Sequence, residues 1–265
     1  MSRLATLGLL AGVLVMGSAH AQRAAGPTDP RSRAPVDLTG YWVAVVTEDW
    51  RYRMMTPDKG DFTGVALNAA GRALMQKWDP SKDQAAGEAC RAYGAAAIMR
   101  VPTRLHITWQ DANTLKVDTD AGEQTRLLHF AGPTAATHDM TASWQGYSVA
   151  QWDGLRGRGG GGGVTAGLPT TTGTAGSPPP TQDGYLKIMT TQLRPGYLRK
   201  NGVPYGTNTS VEEYFDSFHE PNGDTWLIVT SIVTDPEFLD QPFITSSQFK
   251  KTDAAKWTPT PCEAR

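Results

Sequence analysis

Residues 104–130 read RLHITWQDANTLKVDTDAGEQTRLLHF, and this stretch decides the fold. Three short runs rich in apolar residues are separated by the turn-forming clusters Asp111–Asn113 and Asp120–Gly122. Because successive side chains of a strand point to opposite faces, the alternation predicts a meander of antiparallel strands with one apolar face. The apolar face must be buried, either against a second sheet or inside a closed barrel. We therefore expect an all-β protein in which the sheet closes into a β-barrel, with a two-sheet sandwich as the alternative.

Beyond the meander, strand-like segments alternate with turns. Two short helices are expected, one capped by Asn68 and one over residues 82–91. A Gly/Pro/Thr-rich stretch at about 156–180 has the composition of a disordered insertion, and the strand-like segments on both sides place it inside a hairpin. Strands are expected at 41–47, 50–55, 62–67, 144–152, 185–193, 210–219, 225–233 and 243–250.

The first 21 residues have the three parts of a secretory signal peptide. Arg3 supplies the positive charge, Leu4–Met16 the apolar run and Ala19–Ala21 the small-residue cleavage site. We therefore expect a periplasmic or secreted protein. Residues 22–36 lack periodicity and are expected to form a flexible leader, which leaves 37–265 as a single β-barrel domain.

Charge and hydropathy narrow the range of partners. The formal net charge is −1 with both signs mixed along the chain, and neither nucleic acid nor an anionic membrane surface attracts such a protein. No later apolar run reaches the length of a transmembrane helix, so no membrane insertion is expected after signal cleavage. The partner that we expect is a small-molecule ligand or substrate.

The two cysteines, Cys90 and Cys262, are far apart in the chain. In an oxidising compartment they are expected to form one structural disulfide that ties the C-terminal tail to the segment before the meander. A nucleophilic or metal-bound cysteine is the alternative, although no histidine stands at a recognisable spacing from either residue.

A wider pattern resembles a broad group of exported bacterial β-rich proteins of unknown function. It consists of Trp144-x-Gly146-x-Ser148-x-x-x-Trp152, a later strand containing Glu213-Tyr214-Phe215, then Asp235-Pro236 and Pro242, together with Cys90 and Arg126 upstream. The resemblance implies an exported β-rich fold and transfers no catalytic residues. Separately, Gly40-x-Trp42 at the head of the first strand resembles the start of lipocalin-like (calycin) barrels.

Candidate catalytic residues lie on the meander. If Arg104, His106 and Arg126 converge inside a barrel, the neighbouring arginines disfavour the charged imidazole and leave a neutral His106 that can act as a general base. The alternative is that these side chains lie on the solvated outer face of a half-buried sheet. No metal site is expected, because the histidines of the mature chain show no metal-binding spacing.

Candidate ligand-binding residues fall into two sets. Aromatic side chains on strands provide material for a cavity lining, and arginines and tyrosines on the turn-rich segment 194–205 suit recognition of a carboxylate, phosphate or sugar. An ordinary surface loop with ion pairs is the alternative for the second set. The two sets are Trp109, Trp144, Tyr147 and Trp152, and Arg194, Tyr197, Arg199 and Tyr205.

Three functions remain open on this basis. The leading hypothesis is an exported protein that binds a small amphipathic or aromatic molecule in the barrel cavity. The second is a cofactor-free lyase, isomerase or hydrolase that uses the same cavity. The third is a cell-envelope interaction protein tethered through the Gly/Pro-rich insertion.

Overall fold

A computed structural model describes residues 29–130, 141–154 and 184–264 of the chain. Three short α-helices occur in these ranges: α1 Trp50–Arg53, α2 Ala69–Met75 and α3 Pro80–Ala85. The strands are β1 Gly40–Val45, β2 Arg104–Trp109, β3 Thr114–Thr119, β4 Thr125–His129, β5 Tyr147–Asp153, β6 Tyr185–Thr191, β7 Gly196–Arg199, β8 Val203–Tyr205, β9 Ser210–His219, β10 Thr225–Thr234 and β11 Phe243–Thr252.

Nine of these described strands form a closed barrel in the order β1-β11-β10-β9-β6-β5-β4-β3-β2. The expected all-β barrel fold is thus confirmed, and β7 pairs with β8 in a separate hairpin. One junction differs from the expected antiparallel closure, because β4 and β5 run parallel, with Leu128 opposite Ser148 and His129 opposite Val149. Both strands therefore start from the same end of the barrel.

The meander of β2, β3 and β4 is confirmed, whereas two short strands are not. Residues 50–53 form helix α1, and residues 62–67 form turns with a single bridge between Leu67 and Leu239. Aromatic and apolar residues in both segments suggested strands. A closed barrel, however, has no free edge at which a further strand can pair, so these segments pack over the barrel instead.

Side chains fill the barrel interior. Most of the inward-facing residues at alternate positions belong to one continuous apolar cluster, and most of that cluster is completely buried. At one end of the barrel, Tyr93, Ile98 and Met99 enter this cluster from the segment that precedes β2. The main strand residues in the cluster are Trp42, Leu105, Ile107, Leu115, Val117, Leu128, Leu186, Ile188, Phe215, Leu227, Val229 and Phe249.

A second apolar cluster lies below that end of the barrel and joins α2 to the β7–β8 hairpin. Asn68 caps α2 by accepting a hydrogen bond from the backbone N–H of Gly71, which confirms the expected helix start. Asp79 caps α3 in the same way through Ser81, so the second expected helix begins at Pro80 and ends at Ala85. We call this covered end the helix end.

The opposite end carries the described part of the leader, and we call it the leader end. The indole N–H of Trp152 donates to the carbonyl of Pro30 at 2.9 Å, and the N–H of Arg31 donates to the carbonyl of Ala112 at 3.3 Å. Residues 29–36 therefore extend the ordered domain beyond the expected start at Asp37.

The signal peptide at 1–21 and the insertion at 156–180 lie outside the described residues. The strands that flank the insertion, β5 and β6, pair as the expected antiparallel hairpin.

The expected disulfide is confirmed. Cys90 and Cys262 are bonded across a sequence separation of 172, with their Cα atoms 5.1 Å apart. Beside it, Thr260 forms a bridge with Ala121 at the β3–β4 turn. The C-terminal tail is thus held against the meander near the helix end.

One charged pair is buried inside the barrel. Arg126 on β4 and Glu213 on β9 each have no exposed side-chain surface, and two nitrogens of the guanidinium donate to the two carboxylate oxygens. Thr190 accepts from Arg126 at 3.4 Å, and Ser231 donates to Glu213 at 3.4 Å. Because both charged groups are removed from water, each needs the opposite charge of the other to offset the cost of its burial.

We expect Arg126→Met to lower the free energy of unfolding by about 3–5 kcal/mol, because the charge of Glu213 is left unpaired in the interior. The double variant Arg126→Met/Glu213→Leu should recover most of this loss, since a matched apolar replacement of a buried pair is close to neutral. Urea unfolding of the two variants and the wild type measures both changes. A double variant no more stable than Arg126→Met would contradict this account.

Candidate arginine pocket at the helix end

Three arginines from separate parts of the chain meet at the helix end of the barrel, and we call them the arginine cluster. Arg53 ends helix α1, Arg100 ends the 3₁₀ helix Ile98–Arg100, and Arg199 ends strand β7. Their exposed fractions are only 8%, 6% and 4%, respectively. Arginine is seldom buried to this extent without a carboxylate partner.

Backbone carbonyl groups hold the arginine cluster in place. The Nε of Arg53 donates to the carbonyl of Arg100 at 2.9 Å, and Nη1 of Arg199 donates to the carbonyl of Thr63 at 2.8 Å. Nη1 of Arg100 makes a longer bond of 3.5 Å to the carbonyl of Leu198. These bonds fix the guanidinium groups without neutralising their charge.

Asp49 is the one carboxylate within ion-pairing distance of the cluster among the residues that the structure describes. Its carboxylate bonds Nη2 of Arg100 and lies 3.9 Å from Nη2 of Arg199. Asp49 is itself 37% exposed and has a left-handed backbone with φ of 53°. Nη1 and Nη2 of Arg53 and Nε of Arg199 have no hydrogen-bond partner.

The electrostatic consequence is a surplus of buried positive charge. Burial, reinforced by the charge of Arg199, lowers the pKa of Arg100 to about 10, and the attraction of Asp49 offsets only part of this shift. Burial also lowers the pKa of Arg53 and the pKa of Arg199. All three groups still carry their charge at neutral pH.

Two cavities adjoin the cluster, and we call them together the arginine pocket. The larger has a volume of about 380 Å³ and the smaller about 90 Å³, and Tyr52 and the three arginines line both. The guanidinium of Arg199 stacks over the ring of Tyr52 at 4.3 Å. Aromatic contact of this kind holds a guanidinium plane in one orientation while its edge can still bind an anion.

Large apolar side chains surround the opening of the arginine pocket. Met54 and Met55 line the smaller cavity and are 59% and 64% exposed, and Ile244 lines the larger cavity and is 63% exposed. Trp50, at the start of α1, is 61% exposed but lines neither cavity. A cationic floor beneath an apolar rim suits a molecule with an anionic head and an apolar body.

The three predicted catalytic residues do not meet. His106 lies on the outer face of β2, where its ring stacks on Tyr41 at 4.1 Å between centroids. Arg104 lies on the same face and pairs with Asp120 at 3.2 Å. Arg126 points into the barrel and pairs with Glu213, so the sheet itself separates it from the other two.

The predicted aromatic ligand-binding residues are dispersed. Trp109 and Trp152 form a cluster with Phe130 at the leader end, with centroids 5.3–6.5 Å apart. Tyr147 stacks on His129 at 5.0 Å. They therefore do not surround one common cavity.

The predicted ligand-binding arginines and tyrosines on segment 194–205 lie in three different places. Arg194 pairs with Glu88 at 2.7 Å and stacks over Trp144 at 4.1 Å. Tyr197 and Tyr205 line a separate pocket. Of these four residues, Arg199 alone belongs to the arginine cluster.

Sequence reasoning missed Arg53 and Arg100. Arg53 lies in the segment 50–55 that the sequence analysis predicts as a strand, and no element was predicted around Arg100. The proximity of both residues to Arg199 depends on the tertiary fold. One signal was present: Arg100 interrupts the apolar run Ile98-Met99-Arg100-Val101, and a lone cation in such a run is characteristic of a buried functional charge.

The described residues contain no group of three or more His, Cys, Asp or Glu side chains arranged to hold a metal ion. Within the same ranges, no helix is long and apolar enough to cross a bilayer. Comparisons with protein-family models, curated proteins and solved structures return no match. The class that fold and site define is therefore a closed β-barrel with an arginine-lined pocket at one end.

We expect Asp49→Asn to lower the free energy of unfolding by about 1–2 kcal/mol, because the substitution removes the carboxylate that pairs with the arginine cluster. The effect is limited to this size because solvent partly screens the charge of Asp49. Glu48→Gln is the matched control. Glu48 also lines the larger cavity and attracts Arg53 from a distance, but its carboxylate accepts from Gln248 at 2.8 Å rather than from an arginine. Its effect should stay within about 0.5 kcal/mol. Equal losses in urea unfolding at low ionic strength would show that Asp49 has no special role.

Proposed function

We propose that this protein is an exported binding protein for a small amphipathic anion, held in the arginine pocket. The observation that carries the proposal is the group of three buried arginines with one partly exposed carboxylate among them, beside cavities with an apolar rim. A carboxylate or phosphate head supplies the missing countercharge, and guanidinium groups bind such heads through paired hydrogen bonds.

The energetics favour binding. Burial of uncompensated charge is costly to the free protein, so an anion that supplies the countercharge recovers part of that cost on binding. The donors without partners on Arg53 and Arg199 gain acceptors at the same time. Met54, Met55 and Ile244 lose exposed apolar surface against the body of the ligand, which adds a hydrophobic contribution.

The site differs from the barrel cavity that the sequence suggested. Inward-facing side chains such as Trp42, Ile107 and Phe215 are completely buried and occupy the interior. The arginine pocket instead lies outside the barrel wall, between helix α1, strand β7 and the start of β11. Acid–base catalysis has no comparable support, because His106 lies on the outer surface away from this pocket.

We also propose that the protein works in the periplasm or outside the cell. The Cys90–Cys262 disulfide supports this location, since such bonds persist in oxidising compartments. The signal-like N-terminal sequence gives the same indication. A resemblance to exported bacterial β-rich proteins is consistent with it.

The binding test compares decanoate and 1-decanesulfonate with uncharged 1-decanol by isothermal titration calorimetry. Both anions should bind the mature chain, and decanol should bind at least about tenfold more weakly, which corresponds to about 1.4 kcal/mol. Arg100→Met and Arg199→Met should each weaken anion binding by the same factor or more. Their stability should stay level or rise, because apolar replacement relieves buried charge.

Arg194→Met is the matched control for this test, since Arg194 is a neighbouring arginine that already pairs with Glu88 outside the pocket. It should bind both anions as the wild type does. If decanol binds as tightly as decanoate, or if Arg194→Met loses as much affinity as Arg199→Met, the arginine pocket is not the anion site.

Anion binding should also depend on pH in one direction. Because the pKa of Arg100 in the free protein is lowered to about 10, the affinity for 1-decanesulfonate should fall as the pH rises through this value and Arg100 loses its charge. A permanently charged ligand excludes ionisation of the ligand as the cause. In Arg100→Met this fall should be smaller. A fall of the same size in that variant would assign the effect to another group.

A further inference from the structure

A second pocket lies between α2, α3 and the β7–β8 hairpin, and we call it the aromatic pocket. Its volume is about 280 Å³. Rings and apolar side chains form most of its walls. They are Leu74, Trp78, Pro195, Tyr197, Pro204 and Tyr205.

A network of short hydrogen bonds fixes the polar groups of the aromatic pocket. Asp83, which is only 7% exposed, accepts from Nη1 of Arg91 at 2.8 Å and from the hydroxyl of Tyr197 at 2.8 Å. Arg91 also lies 3.2 Å from the Tyr197 hydroxyl. These bonds hold the Tyr197 ring as a rigid wall.

The same network makes Tyr197 unsuited to proton transfer or nucleophilic attack. Burial, and then the hydrogen bond to Asp83, raise the pKa of Tyr197 above its usual range. The hydroxyl therefore remains a neutral donor at physiological pH. The chemistry that Tyr197 offers in this pocket is recognition rather than proton transfer.

Several donors in the aromatic pocket lack acceptors. The indole Nε1 of Trp78 and the Nε of Arg91 are buried without a hydrogen-bond partner, and the carboxylate of Glu88 lies 3.8 Å from the latter. The hydroxyl of Tyr205 also lacks a partner but packs against Gly94 and Gly196. The charged side chains at the opening, Lys77, Lys82 and Asp79, carry both signs. The lining therefore matches a ligand with flat apolar faces and oxygen acceptors, but without strong charge.

We propose that the aromatic pocket binds a carbohydrate ring. A pyranose presents C–H groups on its faces, which pack against aromatic rings, and oxygens around its edge, which accept from indole and guanidinium donors. The pocket has room for one such ring with its substituents. This site is separate from the arginine pocket, so the two proposals stand or fall independently.

The test titrates cellotetraose and chitotetraose into the mature chain and follows binding by saturation-transfer NMR and calorimetry. At least one of the two sugars should bind the wild type. Trp78→Ala should weaken binding at least tenfold, because it removes both a ring face and a donor. Trp78→Phe should bind with intermediate affinity, since it keeps a ring and loses the indole N–H.

Leu74→Arg provides a variant that leaves the interior intact. Leu74 is 42% exposed at the opening of the pocket, so a longer side chain there should block sugar binding without lowering the melting temperature. Arg199→Met, in the arginine pocket, should bind the sugar as the wild type does. The proposal is overturned if neither sugar binds the wild type at about 10 mM, which is ten times a millimolar dissociation constant. It is also overturned if Trp78→Ala and Leu74→Arg both bind the sugar as tightly as the wild type does.

Discussion

Dense packing of the barrel interior is the constraint on which the rest of the structure depends. Alternate side chains from the nine described barrel strands fill the enclosed space, and the ion pair of Arg126 and Glu213 is enclosed among them together with the hydroxyls of Thr190 and Ser231. Open space is therefore found outside the barrel wall. The helices and the β7–β8 hairpin that cover the helix end create it, and both proposed sites lie there.

The arginine cluster shows why such a covering layer can carry function. Inside the barrel, the guanidinium of Arg126 is paired with the carboxylate of Glu213, and this pairing holds the two side chains in one arrangement. At the helix end, Arg53, Arg100 and Arg199 share Asp49 and bond mainly to backbone carbonyls. Charge left uncompensated in this way lowers the stability of the free protein. In the function that we propose, the same charge provides affinity for an anion, which is the usual trade between stability and function.

The sequence predicts the barrel well because alternation within a strand is a local property. The meander at 104–130, the last three strands and the disulfide between Cys90 and Cys262 follow from short-range pattern or from residue count. The strands predicted at 50–55 and 62–67 were wrong, since the closed sheet excludes them only after every edge is paired. Arg199 was a candidate from its loop, whereas its partnership with Arg53 and Arg100 arises from contacts between distant segments.

The most direct test of the anion site is NMR observation of the arginine Nε–Hε groups while 1-decanesulfonate is added to the mature chain. Our account predicts that the resonances of Arg53, Arg100 and Arg199 shift together with one dissociation constant. The resonance of Arg126, paired inside the barrel, should stay in place. Shifts confined to exposed arginines, with the cluster unchanged at saturation, would contradict the account.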